Sequence, residues 1–137
     1  MVEEDYCSYE VAKLLKEKGF NEKCRGGYHS EFDDNDNSII MLEEWMTQPY
    51  NNDFVDEGFL CSAPTHQMAM KWLREVHNIC ITIYPDKVKG YEAVLYNIKD
   101  DVEIILQSFC IYGSHIFEDS YEEAVEAALK YSLENLI

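Results

Sequence analysis

Asp33, Asn35, Asn37 and Glu44 carry the spacing in this chain closest to a recognised chemistry. With Ile40 at position eight, they fit positions one, three, five and twelve of an EF-hand loop. There, alternate short oxygen ligands and a distant bidentate carboxylate surround a calcium ion. Two features oppose that site. Position six is Ser38, where glycine makes the sharp turn, and Gly26-Gly27 before and Pro49 after leave no long helix on either flank. The same residues read as a hairpin loop of solvated carboxylates, and no metal is expected.

Zinc would need four ligands in two close pairs. Only His77-x-x-Cys80 and Cys24 with His29 come near that pattern. His77 and Cys80 fall where a helix gives way to a strand, a place for packing residues. Cys61 is the foremost thiol, because a helix is expected just after it and helix N-termini lower thiol pKa. A half-buried thiol at a helix cap is its plainer role. The chain holds no nucleophile elbow, P-loop or dinucleotide fingerprint, so no catalytic residue and no cofactor is expected.

Charge is the strongest compositional signal: 27 acids face 11 basic residues, a formal net of −16 in 137 residues. Nine acids and no Lys or Arg fall between Arg25 and Lys71, and a second acid-only stretch runs from Asp100 to Glu126. Phosphate backbones and anionic membranes are repelled by such a surface, so neither nucleic acid nor membrane is an expected partner. Tyr28, Tyr50, Phe54 and Phe59 lie outside the strongest apolar stripes. Aromatics among acids suit a protein interface, and these four are the candidate interaction surface; ordinary loop packing accounts for them equally well.

The elements that would position these residues follow from periodicity. Ser8 caps a first helix over 8–18, with Val11, Leu14 and Leu15 as its stripe, Gly19 as its left-handed stop and Phe20 folding back on Leu15. Residues 24–32 and 38–45 read as a hairpin. Residues 46–61 read as an irregular acidic loop, punctuated by Pro49, Asn51-Asn52 and Gly58. A second helix follows Ser62-Ala63-Pro64-Thr65, burying Ala69, Trp72, Leu73 and Val76, with Met68 at the margin. Strands are expected at 79–84, 91–98 and 102–112. Ser120-Tyr121-Glu122-Glu123 is a capping box opening a last helix with Val125, Leu129 and Leu133 on its stripe. The expectation is a single α+β domain over 1–137: three amphipathic helices, an N-terminal hairpin and a C-terminal antiparallel three-stranded meander.

Five cysteines without a CxxC, and no apolar leader after Met1, read as reduced thiols in a cytoplasmic protein. No window reaches the length of a membrane span.

The segment Cys61-Ser62-Ala63-Pro64-Thr65-His66-Gln67-Met68-Ala69-Met70-Lys71-Trp72-Leu73-Arg74-Glu75-Val76-His77 resembles a group of small uncharacterised proteins from phages and mobile elements of gut Bacteroidetes. Tyr121-Glu122-Glu123-Ala124-Val125-Glu126-Ala127-Ala128, the ending Glu134-Asn135-Leu136-Ile137 and Ser8-Tyr9-Glu10-Val11-Ala12-Lys13-Leu14-Leu15 fit the same group. The resemblance spans most of the chain outside 33–60. It implies an intracellular accessory role and brings neither an activity nor catalytic residues. The expected function is therefore a non-enzymatic acidic interaction protein with a protein partner. The alternatives are a DNA mimic that inhibits a host DNA-binding protein, and a thiol- or metal-dependent hydrolase.

Overall fold

A computed structural model describes residues 1–32, 35, 38–44, 48, 50–52, 58–99, 102–103 and 115–137. The chain forms two compact units, Met1–Thr65 and His66–Ile137.

In the first unit, α1 (Tyr9–Glu17) begins where the Ser8 hydroxyl accepts the Val11 N–H at 3.3 Å. It buries Val11, Ala12 and Leu15. Gly19 adopts φ +95°, a left-handed geometry open to glycine. The N–H of Phe20 then returns to the Leu15 carbonyl at 2.9 Å and that of Gly19 to Lys16 at 3.1 Å, the paired bonds of a Schellman stop. Strands β1 (Gly26–Phe32) and β2 (Ser38–Glu44) form the expected hairpin, with Phe32 opposite Ser38 and Gly26 opposite Glu44.

The hairpin is not free-standing, which corrects the expected layout. A third strand, β3 (Phe59–Ala63), pairs antiparallel with the other edge of β1, giving the order β2-β1-β3. Residues 59–61, expected to be irregular loop, are thus strand. The remainder of that segment lies mostly outside the described residues. Cys61, Ser62 and Ala63 are buried, and α1 packs on this strand. Small side chains there let the helix approach closely. Lys16 Nζ also donates to the Leu60 carbonyl at 2.7 Å.

In the second unit, α2 (His66–His77) buries His66, Ala69, Met70, Trp72 and Leu73. Val76, expected on this face, is instead 54% exposed. It lies in the last turn of α2, and its side chain faces water. Asn78, at φ 60°, turns the chain from helix into β4 (Ile79–Asp86). That strand pairs along its whole length with β5 (Gly90–Asn97).

The expected three-stranded meander is also corrected. The second edge of β5 is shared by two short pieces: β6 (Val102–Glu103) at Tyr96 and Asn97, and β7 (His115–Glu118) at Tyr91 to Val94. Of the strand expected at 102–112, residues 104–112 lie outside the described residues. With partners on both sides, central β5 buries Ala93, Val94 and Leu95 in succession, while Ile98 lies past the strand, 48% exposed.

Helix α3 (Tyr121–Asn135) packs on β4, β5, β7 and α2, burying Ala124, Val125, Ala128, Leu129, Ser132 and Leu133. Ser120 accepts the Glu123 N–H at 3.1 Å. The Glu123 carboxylate makes no return bond among the described residues, so this end is a serine cap and not a reciprocal box. Buried His66, at the start of α2, meets Glu126 of α3 at 2.9 Å, fixing the two helices to each other. The architecture is α+β in both units, and no described helix is long and apolar enough to cross a membrane.

Candidate functional site

The hairpin β1–β2 carries the most distinctive surface. In the order β2-β1-β3, β1 is paired on both sides and β2 only on one. Among the described residues, the outer edge of β2 has no strand partner. Successive side chains of a strand point to opposite faces. Ile40, Met41 and Leu42 are nevertheless exposed in succession, at 47%, 37% and 43%, so both faces of β2 reach solvent. Large exposed apolar side chains on an open edge make a template for another strand. Charge surrounds it: Glu31 opposite Ile39, Glu43 opposite Gly27, and Glu44 at the strand end.

Of the calcium-like pattern, the two described residues, Asn35 and Glu44, are not brought together. Asn35 is an exposed turn residue at one end of the hairpin, and Glu44 stands opposite Gly26 at the other. Six residue steps of strand separate Ser38 from Glu44, about 20 Å. Glu44 instead accepts the Tyr6 hydroxyl at 3.1 Å. Burial, with this bond to Glu44 second, raises the Tyr6 pKa. Asp33 and Asn37 lie outside the described residues.

Of the four aromatic candidates, three are placed: Tyr28 and Phe59 against residues of α1, and Tyr50 against Lys23 beyond it. The Tyr28 hydroxyl donates to the Cys7 carbonyl at 2.8 Å and its ring meets Tyr9 edge-on, centroids 5.4 Å apart. Tyr28 is therefore a packing residue that ties the N-terminal segment to β1. Tyr50 lies under Lys23 at 5.5 Å and Phe59 under Lys16 at 5.4 Å. Both cations come from outside the basic-free stretch, a pairing invisible in the linear charge pattern. Phe54 lies outside the described residues.

Cys61 is corrected. It sits inside β3, not at a helix start, and burial pushes its thiol up to about 11 despite Lys16 and Lys13. Cys24 donates to the Glu22 carbonyl and burial pushes it up to about 12. Both are protonated at neutral pH and unsuited to nucleophilic work. His77 packs edge-on against Trp72, centroids 4.7 Å apart. Neither His77 with Cys80 nor Cys24 with His29 joins a group of three ligands among the described residues.

Two groupings were not read from the sequence. The first is His29, Glu31 and Glu43, whose ligand atoms all lie within 4.8 Å of one another. Strand period two puts 29 and 31 on one face of β1, and the hairpin register brings Glu43 beside them. The second is Asn51, 4% exposed. Its Nδ2 donates to the Phe20 carbonyl and its Oδ1 accepts the Ser62 N–H, each at 2.7 Å.

No protein-family model, curated protein or solved structure matches the chain.

Proposed function

We propose that the protein is a non-enzymatic accessory interaction protein, of the phage or mobile-element kind, that captures an extended basic segment of a partner protein on the open edge of β2. The observation that carries this reading is the run Ile40-Met41-Leu42, exposed on an edge strand. Strand addition draws affinity from main-chain hydrogen bonds and specificity from alternate side chains. The nine acids and no base between Arg25 and Lys71 favour a basic partner over a second copy of this chain, because like charge opposes self-pairing. Cytoplasmic residence belongs to the same reading: the four described cysteines are thiols, which persist in reducing compartments.

The test is amide hydrogen exchange with a short peptide alternating lysine and valine. It should slow exchange at residues 39–42. The same peptide with glutamate for lysine should not, and Ile40→Lys with Leu42→Lys should abolish the effect. Equal protection by both peptides, or protection only elsewhere, overturns the reading. Protection without peptide in a dimer would assign the edge to a second copy and also overturn it.

A further inference from the structure

The face of the hairpin that carries His29 has a second property, independent of strand capture at its edge. We propose that His29, Glu31 and Glu43 form a site for a divalent transition-metal ion of the zinc type, with at least one coordination position open. Three ligand atoms from two paired strands lie within 4.8 Å of one another. A tetrahedral ion ~2.1 Å from each would draw them to about 3.4 Å. Glu31 is exposed and Glu43 half-buried, so rotation of two glutamate side chains makes up the difference without moving backbone.

The third ligand is held in place. A Cβ at Gly58 would collide with Cε1 and Nε2 of the His29 ring, so the bare backbone at Gly58 lies against the imidazole. Next to it, the Ser30 N–H donates to the Gly58 carbonyl at 2.8 Å. The histidine is thus positioned by a paired strand on one side and this close approach on the other, while the two carboxylates supply the adaptable ligands. Ligand placement on strands gives more precision than placement on loops.

The donor set decides the metal class. Calcium and magnesium take oxygen ligands throughout, six or more for calcium. One imidazole nitrogen with two carboxylates suits zinc, cobalt and their neighbours. Three protein ligands leave the fourth tetrahedral position to water or to an incoming group, as in open zinc sites. The two glutamates supply two negative charges, so binding Zn²⁺ would neutralise this face.

The experiment is titration of the reduced, metal-free protein with Zn²⁺ by calorimetry, and with Co²⁺ by visible absorption. One equivalent should bind, raise the melting temperature and give a cobalt spectrum without a thiolate charge-transfer band. Glu31→Gln, His29→Gln and Glu43→Gln should each weaken binding at least tenfold, about 1.4 kcal/mol. His77→Gln should leave it unchanged. Glu31 is solvent-facing, so Glu31→Gln keeps the test valid should His29→Gln misfold. Absence of saturable binding overturns the site. So does a thiolate band, which places the ion on cysteines, or undiminished affinity in Glu31→Gln and Glu43→Gln.

Discussion

Asn51→Ala tests how the first unit is held together. The side chain is 4% exposed and bridges two backbone groups far apart in sequence: the carbonyl of Phe20, just past α1, and the N–H of Ser62 in β3. The neighbouring Asn52 N–H is accepted by Asn21 at 2.9 Å, so the segment docks beside the helix end at two adjacent points. Truncation to alanine leaves one acceptor and one donor buried without these partners. Each such group costs about 1–3 kcal/mol; partial entry of water into the vacated volume brings the pair to about 2–4 kcal/mol. At about 2.1 cal/mol/K of unfolding entropy per residue, a chain of this length loses about 3–4 °C per kcal/mol. The melting temperature should therefore fall by about 7–14 °C. Asn51→Asp sharpens the test. It keeps an acceptor for Ser62 but sets a carboxylate oxygen against the Phe20 carbonyl, so its loss should be comparable at neutral pH and smaller in acid, where a protonated carboxyl donates. Amide exchange at Ser62 should accelerate in Asn51→Ala. If both variants melt within about 2 °C of the parent, the bridge does not stabilise the unit and the reasoning fails.

Leu129→Ala, at a fully buried position on α3, should cost about 2–5 kcal/mol in urea denaturation. Ser120→Ala should cost about 0.5–2 kcal/mol through the lost cap; because Glu123 makes no return bond, the Glu123→Ala effect should simply add to it in the double variant. Burial lowers the His77 pKa from its ordinary 6.5. The unfolded chain then binds the proton more readily than the folded one. Stability is full above about pH 6.5 and falls as pH drops through the lowered folded value; in His77→Phe melts that acid-side slope should be shallower.

Local rules carried the helices and the long strands. Ser8, Gly19 and Ser120 act through their own hydrogen bonds or backbone angle, so their roles are visible in a few neighbouring residues. Strand β3 is different. Phe59-Leu60-Cys61-Ser62-Ala63 has no polar–apolar alternation, and its strand character is set by β1, to which it is joined only through tertiary pairing. Asn51 reads as loop punctuation because its two partners are remote. The Val76 error is one of the helix end: apolar periodicity continued past the last turn that packs. His29, Glu31 and Glu43 match no linear motif; only the register of the hairpin unites them.

The order β2-β1-β3 also fixes a sequence of events during synthesis. The β1–β2 hairpin can close within about 1–10 μs of its emergence. Its partner β3 follows much later: Ala63 leaves the ribosome about 19 residues after Glu44, which completes the hairpin. At about 5–20 residues per second, that interval lasts about 1–4 s. Through it the nascent chain presents two open strand edges, one of them bearing Ile40, Met41 and Leu42. Only the inner edge is later sealed by β3. Slowing or speeding translation between codons 45 and 58 would change how long that inner edge waits and leave the outer one as it is.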